Sequence, residues 1–162
     1  MTPFTKEYID NLNWQLHVDN EECMIWYKKN FEVTYYKKED NFYIHIDDNH
    51  NCTLGESRIE YVEEFQLFLE IYKNPTDVCY DNISLLDRIV SRKEFVKVPE
   101  DYDFRLTPVN TPYRWDPEAD IIILYDEFIG EIEFMFHNMR TEVVIQNDNQ
   151  FEKLYEFYKT FE

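Results

Sequence analysis

Phe31-Glu32-Val33-Thr34-Tyr35-Tyr36-Lys37-Lys38-Glu39-Asp40-Asn41-Phe42-Tyr43-Ile44-His45-Ile46 is the stretch that decides the fold class. Phe31, Val33 and Tyr35 alternate with Glu32, Thr34 and Tyr36, and Phe42, Ile44 and Ile46 alternate with Tyr43 and His45. A period of two places each set on one face of a sheet. Lys37 to Asn41 is polar, and Asp and Asn tolerate the left-handed backbone of a tight turn. The stretch predicts an antiparallel hairpin.

Toward the N-terminus, Met24 to Tyr27 is a compact apolar run. Before it, Trp14, Leu16 and Val18 alternate with Gln15 and His17, so two more strands precede the hairpin. Thr5 to Leu12 predicts a short helix, with Thr5 as cap and Tyr8, Ile9 and Leu12 at helical spacing. Past the hairpin, a polar segment containing Gly55 reads as a connection. Glu60 to Lys73 is then a strong amphipathic helix, ended by Asn74-Pro75. Val62, Phe65, Phe68, Leu69 and Tyr72 share its apolar face, while Glu60, Glu63, Glu64 and Glu70 lie mostly off it.

The middle of the chain is less regular. Ile83 to Val90 predicts a helix capped by Asn82, and Phe95 to Val98 a short strand. Pro99, Pro108, Pro112 and Pro117 punctuate what reads as a long loop, whose Tyr102 to Trp115 portion suits a packed connector or a contact surface. Regular patterning returns with strands at Asp120–Tyr125, Glu131–Phe136 and Glu142–Ile145, and with turns at Gly130 and Asn138-Met139. A closing helix is capped within Asn147-Asp148-Asn149 and carries the stripe Phe151, Leu154, Tyr155 and Tyr158.

The expected fold class is α+β: two antiparallel β-meander plus helix modules with a helical and irregular middle. The expected divisions are 1–74, 75–115 and 116–162, packed as one compact domain. Tyr61 to Lys73 and Asn149 to Lys159 both run from a Phe through Glu and Leu to a Tyr-Lys end. A duplicated βββα module would produce this likeness, and so would two amphipathic helices drawn from one biased composition.

Thirty-four acidic and 16 basic residues among 162 give a net charge of −18. It divides as −8 over 1–74, −1 over 75–115 and −9 over 116–162, so the charge belongs to the regular modules. Direct binding to nucleic acid or to an anionic membrane is disfavoured, because affinity for phosphate rests on Lys and Arg. A disordered acidic chain is equally disfavoured, since 44% of residues are hydrophobic and 18% aromatic. Only two glycines are present, which excludes the phosphate-cradling loops that need clusters of them. No apolar run is long enough to span a bilayer, and the N-terminus lacks the pattern of a signal peptide. Cys23, Cys52 and Cys79 have no CxxC spacing and suit reduced thiols, so the expected location is cytoplasmic.

His45-Ile46-Asp47-Asp48-Asn49-His50-Asn51-Cys52 is the densest polar cluster. Its spacing matches neither a zinc pattern nor a calcium loop, so a solvated turn is preferred to a metal site and no cofactor is expected. The serines, Ser57, Ser84 and Ser91, lack an elbow motif, and acidic pairs are too common for any one to stand out as general acid and base. Trp14, Trp26, Tyr27, Tyr35, Tyr36, Tyr43 and Trp115 could stack bases, with Lys28-Lys29 and Lys37-Lys38 as a basic patch, but the net charge opposes it. An exposed subset suits a protein interface, where Tyr and Trp concentrate.

These readings favour an interaction protein over an enzyme. The expected partner is a basic protein surface, such as a nucleic-acid-binding host protein or nuclease. Asp47, Asp48, Glu60, Glu63, Glu64, Asp126, Glu127, Glu131 and Glu133 would meet it, with carboxylates standing where phosphates would stand. In size, charge and composition the chain is similar to small acidic proteins of phages and mobile elements, of the anti-restriction or anti-CRISPR kind. No motif ties it to one such family. An immunity protein neutralising a basic toxin, and an assembly or adaptor subunit, are the alternatives. A hydrolase at the His45–Cys52 cluster ranks below them.

Overall fold

Alternating patterns become strands and three-to-four-residue patterns become helices along most of the chain. The computed structural model describes residues 1–75, 83–92, 95–100, 103–108, 121–126, 128–136 and 140–161. The class is α+β. The chain divides into two units, Met1–Asp77 and Val78–Glu162. This differs from the three expected segments, because the middle supplies helix and strands to the second unit.

In the N-terminal unit, the Thr5 hydroxyl accepts the Tyr8 amide at 3.2 Å and opens α1 (Lys6–Asp10). Five strands follow, β1 (Gln15–Asp19), β2 (Cys23–Lys28), β3 (Phe31–Tyr36), β4 (Asn41–Asp47) and β5 (Thr53–Ile59). Each pairs antiparallel with the next. The helix α2 (Val62–Ile71) closes the unit. Trp26, Val33, Ile44 and Ile59 point to one buried side of the sheet, together with Phe65, Phe68 and Tyr72. Phe4 bridges the layers, its ring 4.9 Å from Phe42 and 5.0 Å from Phe65.

β5 corrects the reading of its segment as a connection. Thr-Leu-Gly-Glu-Ser-Arg-Ile carries too few apolar residues to show a period of two. It pairs nonetheless, with Ser57 opposite Ile44 and Gly55 opposite Ile46, and a register shift follows between Ile46 and Asp47. Gly55 has φ 149°, in the positive range where the absent Cβ matters.

The C-terminal unit contains α3 (Ile83–Val90), β6 (Phe95–Glu100), β7 (Asp103–Pro108), β8 (Ile121–Asp126), β9 (Glu131–Phe136), β10 (Thr141–Ile145) and α4 (Asp148–Tyr158), with a final 3-10 turn at Lys159–Phe161. Its strands again pair antiparallel in sequence order. β7 corrects the expected Pro-rich loop across 103–108. Among the described residues β6 pairs only with β7, which makes it an edge strand able to hold Pro99, while Pro108 ends β7. The Asn82 cap, the Asn138-Met139 turn and Pro112 to Trp115 lie outside the described residues.

Both units follow one plan: a short helix, a five-stranded meander, a helix. The correspondence extends to register. Phe31, Val33 and Tyr35 face Ile46, Ile44 and Phe42, just as Ile121, Ile123 and Tyr125 face Phe136, Phe134 and Ile132. At the start of the following strand the first unit places Asp40 at φ 55° and the second Gly130 at φ 68°. The closing helices match as well, Phe65 with Phe151, Phe68 with Leu154 and Tyr72 with Tyr158, all buried. Shared composition explains two similar helices; it does not explain matched register across a pair of strands.

Glu64 overturns its expected surface position. It is wholly buried, and its Oε1 accepts the Glu60 amide at 2.9 Å. Gln150 does the same for the Gln146 amide at 2.6 Å. Each is the third residue of its helix and satisfies a donor at the helix entrance, the work of a capping box. Tyr61, the α2 N-cap, makes no side-chain cap bond, so Glu64 carries that entrance. Glu64→Ala should destabilise the N-terminal unit by about 1–3 kcal/mol, from the half-buried Glu60 donor left without its carboxylate. Glu64→Gln should keep the bond, as Gln150 does. Urea denaturation of the two variants checks this, and equal losses would contradict the capping role.

Candidate functional site

The acidic residues expected at a partner surface take different local tasks. Asp48 is buried, and its Oδ1 accepts the amides of His50 at 2.8 Å and Cys52 at 2.9 Å, so it builds the β4–β5 turn. Glu64 caps α2. Glu63 is held below the usual carboxylate range chiefly by its own backbone amide, and then by the Thr2 amide, which it accepts at 3.0 Å. Glu60 lies 3.7 Å from Arg58. Glu127 lies outside the described residues. Asp126 holds the turn before β9, accepting the Phe128 amide at 2.9 Å.

The His45–Cys52 cluster is spread between strand and turn. His45 Nε2 lies 2.9 Å from Asp47 Oδ1 on β4, while Asp48 serves the turn and Cys52 is exposed. Among the described residues, no three His, Cys, Asp or Glu side chains come together as a metal-holding group. A cleft of about 280 Å³ beside α1 is lined in part by Lys6 and Arg58. Both cations have partners, Lys6 with Asp10 at 2.6 Å and Arg58 with Glu60.

Two sheet faces bring candidate side chains together. In the C-terminal unit, alternation turns Ile132, Phe134 and Phe136 into the core and places Glu131, Glu133 and Met135 on the other face. Glu133 stands directly opposite Leu124 on β8 and Val144 on β10. These apolar neighbours strip water from its carboxyl, and Glu142, Glu131 and Asp126 add negative charge around it. Burial first, then like charge, pushes Glu133 up to about 7. Glu131 is raised for the same reasons, burial and Asp126. Glu142 belongs to this group and was not among the expected residues. Its position opposite Met135 is the signal that finds it, and that requires the strand register.

In the N-terminal unit no described helix covers the sheet face opposite the core, and that face is open among the described residues. Tyr27, Glu32, His45 and Glu56 form one cross-strand row over four strands, and Ile25, Thr34, Tyr43 and Arg58 form the next. Tyr36 adds to the edge of this face. Its ring meets Tyr43 edge-on at 5.6 Å, and the His17 and Tyr27 rings meet edge-on at 5.0 Å. Tyr27 is 38% exposed and Tyr36 43%. Tyr27 is raised above the ordinary phenol range, chiefly by desolvation and then by the charge and hydrogen bond of Glu32.

The structure thus sorts the aromatics that composition left undivided. Trp14 and Trp26 are core, Tyr35 stacks on Phe42 at 4.5 Å, and Tyr27, Tyr36 and Tyr43 take the open face. Lys37 is tied to Asp19 at 2.8 Å and to the Asn20 carbonyl at 2.5 Å. No helix among the described residues is long and apolar enough to cross a membrane. Comparison with protein-family models, curated proteins and solved structures finds no match to this chain.

Proposed function

We propose that this chain is an acidic binding protein that occupies the cationic surface of a nucleic-acid-binding protein or nuclease and so excludes its nucleic acid. The observation that carries the reading is how the charge is distributed. Residues 1–77 hold 16 acidic and 7 basic side chains, and residues 78–162 hold 18 and 9, so each folded unit has a net charge of −9. Many of these carboxylates do no internal work: Glu21, Glu22, Glu39, Glu56, Glu70 and Glu156 are all exposed. The raised Glu133 supports the same reading, because a cationic partner relieves the repulsion among Glu131, Glu133 and Glu142 that the free protein carries. Ordered fields of one sign speed encounter with the opposite sign and reject phosphate.

The test is capture at low ionic strength. A basic nucleic-acid-binding protein should be retained from host lysate in roughly 50 mM salt and released near 500 mM, where screening shortens to a few ångströms. Added chain should then displace nucleic acid from that protein in proportion to its occupancy. The triple variant Glu131→Gln, Glu133→Gln, Glu142→Gln should bind it more weakly. Retention that ignores salt, or a partner whose nucleic acid stays bound, contradicts the proposal.

A further inference from the structure

We infer that the open face of the N-terminal sheet, across β2 to β5, is a docking surface for arginine side chains of a cationic protein partner. The inference rests on the proposed function and deepens it by adding to the carboxylates of β9 and β10 a face of the N-terminal unit that prefers one kind of side chain. Among the described residues no helix of the unit packs on this face; α2 and Phe4 cover the opposite one. Its chemistry is specific. Glu32 and Glu56 lie in one cross-strand row with Tyr27 and His45, and Asp47 is beside His45. Tyr43 stands in the next row on the same strand as His45, and the Tyr36 ring, further along β3, meets it at 5.6 Å. Phenol rings alternating with carboxylates match a guanidinium in two ways. Its flat face stacks on an aromatic ring, and its edge donates paired hydrogen bonds to a carboxylate. A lysine ammonium offers a point charge without the planar fork, so it gains less here.

Charge complementarity selects among occupants. Glu32, Asp47 and Glu56 share the face with Arg58, which lies 3.7 Å from Glu60, and with His45, 2.9 Å from Asp47. A nucleic acid would set phosphates against these carboxylates. A second copy would set one unit of net charge −9 against another. A cationic partner is the one occupant whose charge the face attracts.

Two fluorescent peptides of equal charge, octa-arginine and octa-lysine, test this by titration against the full chain at low salt. The wild type should bind the arginine peptide at least about fivefold more tightly, the scale of one or two guanidinium–aromatic contacts. Tyr27→Ala with Tyr36→Ala should bring the ratio close to one while changing lysine-peptide binding little. Tyr27→Phe with Tyr36→Phe keeps the rings and should keep the ratio, which separates docking from loss of fold. Glu32→Gln should weaken both peptides. Phe128→Ala, which removes an aromatic that is 78% exposed in the other unit, should leave the ratio unchanged. Equal binding of the two peptides, a ratio that survives loss of both tyrosines, or a face closed by self-association in light scattering overturns the inference alone. Failure of both peptides to bind at low salt overturns the proposed function as well.

Discussion

Phe65→Ala should destabilise the N-terminal unit by about 3–5 kcal/mol, the largest effect expected of a single substitution in that unit. Phe65 is 1% exposed on α2. Its ring lies 5.0 Å from Phe4, 6.0 Å from Tyr8 and 5.5 Å from Trp14. It therefore joins α2 to α1 and to the segment that enters β1. Truncation removes the apolar area and leaves a cavity whose ring-lined walls cannot collapse to fill it. Against a total stability of about 5–15 kcal/mol, that loss takes a large share. Urea denaturation followed by tryptophan fluorescence measures it, because Trp14 reports from the same cluster. A loss below about 1 kcal/mol would show that the cluster does not hold the unit together.

The second large effect is electrostatic and belongs to Glu133. Its carboxyl stands at about 7 in the folded chain, above the value near 4.5 expected when unfolded. The folded state then binds the proton more tightly. Stability from this group is fully present below about pH 4.5 and is lost as pH rises through about 7. Full conversion of the shift would overstate the loss, because the side chain keeps partial access to water. After allowance for screening, about 1–2 kcal/mol is expected above pH 8. Glu133→Gln should stabilise the C-terminal unit by that amount at pH 8 and by almost nothing at pH 4.5. Denaturation curves at the two pH values check the sign. A variant less stable than wild type at pH 8 would mean that the ionised carboxylate has a compensating partner.

The same carboxylate links stability to the proposed binding. Residues that weaken a fold in isolation and carry like charge on one face are those whose repulsion a cationic partner removes. A fold selected only for stability has no need of Glu133 between Leu124 and Val144. Glutamine or threonine would occupy that strand position without repulsion.

Legibility in the sequence followed the strength of periodicity. β3, β4, β9 and α3 stand where alternation or helical spacing puts them, because their apolar residues recur without interruption. Thr5 and Asn147 were readable as caps, since a short polar side chain before an apolar period has few other uses there. β5 was hidden because Gly55 and Ser57 occupy its core-facing positions, and a strand defended only by its neighbours carries little pattern of its own. β7 was hidden by prolines, which argue for a loop unless the strand lies at or beside an edge. Glu64 misled because hydrophobicity alone assigns a glutamate to water, whereas the need of the Glu60 amide brings it inside.

Net charge, α+β class, the two helix-closed modules and the absence of a glycine-rich phosphate loop were settled by residue order alone, because they depend on composition and on local period. Which carboxylates are free was decided only by tertiary structure. Asp48 and Glu64 are consumed by backbone donors, Glu133 and Glu142 are pressed together across a strand, and Tyr27, Tyr36 and Tyr43 share a face. Strand register sets Tyr27, Glu32, His45 and Glu56 in one row from four strands, and the packing of the layers decides that Asp48 and Glu64 are buried; a short bond such as Glu64 to the Glu60 amide is local in the chain, but its burial is not.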